Sequence, residues 1–92
     1  MSQELNDLVK SFEKAIKNKE DGKFGKDDVS AIYQSAHKVF DGRYNLSPAE
    51  MGQIRDLWVK LAEGKIDKGR AAKKLQGTSR AEAIQSVLSS ML

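Results

Sequence analysis

One short pattern, an acid, a glycine, a base and a large apolar residue, occurs three times: Asp21-Gly22-Lys23-Phe24, Asp41-Gly42-Arg43-Tyr44 and Glu63-Gly64-Lys65-Ile66. Each copy falls where one amphipathic stretch ends and another is about to start. Glycine adopts positive φ without a steric cost, which makes it the usual residue just past a helix C-terminus. The pattern therefore divides the chain into helices and constrains its architecture more than any other feature.

The segments between the copies read as helices. Ser2 is placed to cap a first helix, and Leu5, Leu8, Val9, Phe12 and Ile16 recur on one of its faces. A second opens near Lys26, with Asp27 and Asp28 at the positive end of its dipole and a stripe of Val29, Ile32, Tyr33, Ala36 and Phe40. Ser47-Pro48-Ala49-Glu50 is a hydroxyl cap, an N1 proline and an N3 glutamate in order, with Leu46 and Met51 spaced as a hydrophobic staple. Met51, Ile54, Leu57, Trp58 and Leu61 then line the third helix. Asp67 caps a short fourth helix carrying Ala71, Ala72 and Leu75, and Gly77 ends it. Ser79 and Glu82 are spaced as a capping box for a fifth helix. Gly52, inside the third helix, costs about 1 kcal/mol against alanine, and marks either close approach of another helix or no contact at all.

These signals predict an all-α fold: a compact single-domain bundle of four to five short helices, joined by glycine-containing turns, over residues 1–92. The helices are expected near 3–18, 26–40, 48–63, 68–76 and 80–91. The pattern recurs about every 20 residues, but its flanks do not match, so it reads as shared punctuation rather than as a solenoid repeat.

Composition narrows the function classes. With 39% hydrophobic and 32% charged residues, no apolar run approaches the ~18–20 residues that span a bilayer. The polar start, Met1-Ser2-Gln3-Glu4, lacks the basic and apolar parts of a signal peptide. The chain has no cysteine, so disulfide and thiol chemistry are excluded and a cytoplasmic setting is expected. No nucleophile elbow, phosphate-cradling glycine loop or dinucleotide fingerprint is present, and neither an enzyme nor a cofactor is expected.

Residues 17–28, around the first copy, resemble an EF-hand loop in their central glycine, later apolar residue and terminal acid. Calcium needs oxygen ligands at the first and third loop positions, where this chain has Lys17 and Lys19, so calcium binding is not expected. His37, the only histidine, lies beside Tyr33 and Phe40. It has no second histidine or cysteine to complete a zinc site, and local spacing is read as giving it no oriented partner for acid–base work.

Two surfaces remain. The last helix carries an apolar stripe of Ile84, Val87, Leu88 and Met91, which either closes the core or docks on a partner. With Lys73 and Arg80 at its edge, it is the expected site of a small regulator, adaptor or assembly component that binds another protein or a second copy. The alternative is nucleic acid. The net charge of +3 arises wholly after residue 45, where eight bases face five acids. Lys65, Lys68, Arg70, Lys73, Lys74 and Arg80 are opposed over that stretch only by Asp67. The third and fourth helices also have the spacing of a helix-turn-helix, in which Lys68, Arg70, Lys73 and Lys74 face the nucleic acid.

Overall fold

A computed structural model describes residues 2–42 and 44–92; Met1 and Arg43, the base of the second glycine pattern, lie outside the described residues. Five helices follow in order: α1 (Gln3–Glu20), α2 (Lys26–Phe40), α3 (Pro48–Leu61), α4 (Lys68–Lys74) and α5 (Arg80–Ser89). No strand occurs among the described residues, and none of their helices is long and apolar enough to cross a membrane. The apolar stripe of α1 fades at Lys17, but its backbone stays helical to Glu20 because lysine, asparagine and glutamate tolerate an exposed helix end.

Most start signals act as read. Ser2 Oγ accepts from Leu5 N–H (3.2 Å) and Asp67 Oδ1 from Arg70 N–H (2.8 Å). At α3 the capping box is reciprocal: Glu50 N–H donates to Ser47 Oγ (3.1 Å) and Ser47 N–H to Glu50 Oε1 (2.9 Å). Tyr44 Oη adds a 2.6 Å bond to Glu50 Oε2, and this bond is the leading reason that the Glu50 carboxyl titrates below its ordinary range. The Ser79–Glu82 box does not form, since no side chain caps α5. Glu82 turns across to α2 instead. At α2 the N-cap is Gly25, and Asp28 does the work: its Oδ2 accepts from Gly25 N–H (3.1 Å) and its Oδ1 from Asn18 Nδ2 (2.8 Å). These bonds tie the end of α1 to the start of α2 and account for a carboxylate only 8% exposed.

The three glycines stop helices in different ways. Gly22, at φ +72°, completes a Schellman motif in which Gly22 N–H donates to Lys19 O and Lys23 N–H to Asn18 O. Gly64, at φ +85°, lies in the turn that Lys65 N–H closes onto Ala62 O. Gly42 does not have positive φ; what it avoids is a clash, because a Cβ there would lie 2.6 Å from Lys38 O.

All five helices contribute to one buried cluster that includes Leu5, Leu8, Phe12, Ile32, Ile54, Trp58, Leu61, Ala71, Ile84 and Leu88. Helix α2 packs against both α1 and α5, while α3 packs against α1 and α4. Lys19 crosses from α1 to donate to Leu61 O (2.8 Å), satisfying a carbonyl at the negative end of α3.

Candidate functional site

The stripe of α5 is divided between core and surface. Ile84 and Leu88 are fully buried, and Val87 and Met91 are half-buried against the core. The expectation that Ile84, Val87, Leu88 and Met91 together face a partner is therefore corrected. α5 lies on α2, whose Ile32, Ala36 and Val39 are also fully buried, and exposing the stripe would open the core on both helices. Leu92, 55% exposed, is the only exposed large hydrophobic residue among those described.

The basic residues are on the outside. Lys65, Lys68, Arg70, Lys73 and Lys74 are all exposed, and Lys68 Nζ lies 4.0 Å from Asp56 Oδ1. Ala71 points into the core, so Arg70, Lys73 and Lys74 occupy the outward side of α4. As a recognition helix α4 is short, at seven residues. The Asp67 carboxylate also caps the end that would contact bases.

Arg80 behaves differently. It is half-buried at the first position of α5, with its guanidinium carbon 5.6 Å from the centre of the Phe40 ring. Its Nε is buried and has no hydrogen-bond partner, and no carboxylate of the described residues comes within 4.0 Å. Arg80 borders a groove of about 410 Å³ between α3, α4 and the start of α5. Met51, Gly52, Ala72 and Leu75 supply its apolar surface, and Pro48, Arg55 and Gln76 complete the lining. Gly52 is not a point of close helix approach: a Cβ there would meet only Arg55 Nη2, at 3.7 Å. The missing side chain simply leaves the groove open. The Arg55 guanidinium binds Asp56 Oδ1 (3.2 Å), the oxygen that Lys68 also approaches. One carboxylate thus serves two cations, and Arg80 adds a third with no counter-charge. A smaller opening of about 210 Å³, between Phe40, Tyr44 and Leu46, shares Arg80 and Met51 with the groove.

His37 does have oriented partners, contrary to the sequence reading. Its Nδ1 contacts the Asp41 carboxylate. Its Nε2 lies 2.8 Å from Tyr33 Oη and 3.3 Å from Glu82 Oε1. Tyr33 Oη also donates to Glu82 (3.4 Å), and the Tyr33 and His37 rings meet edge to face at 4.6 Å. Tyr33 and His37 of α2 and its C-cap Asp41 are spaced by four, a signal that was present in the sequence. Glu82 arrives from α5 and was not. Burial and then the Glu82 charge push the Tyr33 phenol above its ordinary range. That holds the hydroxyl protonated, the opposite of what a nucleophile needs. The cluster is suited to clamping α5 onto α2. Among the described residues no group of three or more His, Asp or Glu side chains is arranged to hold a metal ion. Comparison with protein-family models, with curated proteins and with solved structures finds no match for this chain.

Proposed function

We propose that this chain is a small non-enzymatic interaction module that docks another protein in the α3/α4/α5 groove, with Arg80 at its edge. The observation that supports this reading is the unpaired Arg80 guanidinium beside an open apolar surface. The half-buried Met51, with Gly52 and Ala72, borders a concavity of ligand-binding size that lies over the buried Leu75. Basic side chains around an apolar centre match the expected docking chemistry, moved from the α5 stripe to the neighbouring groove. A reducing, cytoplasmic setting suits a chain without cysteine. The test is affinity capture with the wild type and with Gly52→Leu, which fills the groove without touching the core. A protein held by the wild type and lost from the folded variant supports the reading. Equal retention by both rejects the groove as the docking surface.

A second reading, nucleic-acid binding, is favoured by the outward side of α4, where Arg70, Lys73 and Lys74 are exposed together. It requires duplex DNA or RNA affinity that falls steeply with salt, and a log–log salt slope about one unit shallower for each phosphate-contacting cation removed. No binding at low salt eliminates it.

A further inference from the structure

We infer that the groove selects a peptide segment carrying a carboxylate within about one helical turn of a large aliphatic side chain, the aliphatic group lying on Met51, Gly52 and Ala72 and the carboxylate pairing with Arg80. The inference rests on the proposed docking surface and adds the chemistry of its occupant.

Two features of the groove set that chemistry. The floor is aliphatic and open: Gly52 contributes no side chain, and the nearest atom to a Cβ there is 3.7 Å away. Such a surface gains by covering apolar area, which a free phosphate cannot supply. The edge is cationic and incompletely satisfied. Arg55 and Lys68 share Asp56, whereas no carboxylate of the described residues comes within 4.0 Å of the Arg80 guanidinium. The Arg80 guanidinium carbon lies 5.6 Å from the centre of the Phe40 ring, and the acceptor best matched to a guanidinium's N–H edge is a carboxylate. Aliphatic floor and guanidinium edge together describe an acidic, apolar peptide.

A phage-displayed library of random 12-residue peptides is the probe. It is selected on the wild-type chain, and the enriched peptides are then measured against Gly52→Leu and Arg80→Met, both checked for helicity by circular dichroism. The expected result is enrichment of Asp or Glu near Leu, Ile or Met, with binding lost in Gly52→Leu and weakened about tenfold in Arg80→Met. Replacing the peptide carboxylate by its amide reports on the pairing without disturbing the protein fold. That change is expected to cost about tenfold with the wild type and less than about twofold with Arg80→Met, as a coupled pair requires. Peptides that depend on Gly52 but carry no acid, or whose amide analogues bind the wild type equally well, overturn the inference and leave the groove as a docking surface. Enriched peptides that bind Gly52→Leu unchanged overturn both.

Discussion

Leu88 shows what burial does to a residue that looks like a docking anchor. Its side chain is fully buried on α5 against α2, so Leu88→Asp places a carboxylate where no partner exists. We expect that variant to lose its cooperative unfolding transition, and Leu88→Ala to lose about 2–5 kcal/mol in urea denaturation. A folded, stable Leu88→Asp protein would mean that α5 does not close the core. The glycines give a finer test, because equal-looking residues have unequal reasons. Gly22→Ala forces an L-residue to φ +72° and is expected to cost about 1–2 kcal/mol. Gly52→Ala meets only the far end of Arg55 and is expected to stabilise the chain by about 0.5–1 kcal/mol. Both are read from chemical denaturation midpoints, and the opposite signs are the diagnostic. The sequence marked Gly22, Gly42 and Gly64 identically as helix stops. It could not reveal that Gly42 is excluded from having a side chain by Lys38 O, since that follows from the path of the chain after α2 rather than from local pattern.

At the level of elements, caps were legible wherever both partners lie within one turn, and misread where a distant group competes. Ser2, Ser47 with Glu50, and Asp67 all cap as spaced. Glu82 has the right spacing from Ser79, yet its carboxylate goes to Tyr33, 49 residues away in sequence, and lies near His37. The α3 start also yields a pH prediction. Tyr44 holds the Glu50 carboxyl below its ordinary value near 4.5, and the capping bond from Ser47 adds to the effect. A carboxyl with a depressed folded pKa contributes stability that is complete above the unfolded value and is lost as pH falls through the folded one. In Tyr44→Phe the Glu50 midpoint, followed by NMR, is expected to move up toward the ordinary value. The acid-side loss of stability below about pH 4.5 is expected to become smaller by the same linkage. An unchanged Glu50 midpoint would mean that the Tyr44 hydroxyl does not hold the carboxylate in solution.

For the whole molecule, the arrangement of helices decides which surfaces are left. Helical periodicity identified each apolar face, but could not say which face another element covers. The α5 stripe is covered by α2, while the open groove arises where residues of α3, α4 and the start of α5 converge, with Arg55 and Arg80 both in its lining. That convergence involves residues 25 positions apart and has no local signature. The same arrangement predicts how the chain unfolds. Helices as short as α4 and α5, at seven and ten residues, are marginal in isolation and depend on the shared core. Trp58 of α3 is fully buried among residues from all five helices, so its fluorescence reports the core, whereas far-UV circular dichroism reports the helices. If one core holds every element, the two signals trace a single coincident transition in urea, with the same midpoint and the same m-value. Val87→Ala, at a half-buried position, should shift both midpoints together to lower urea by the same amount. A helical signal that falls before the Trp58 signal, or a Val87→Ala shift confined to the helical signal, would show that α5 opens independently of the core.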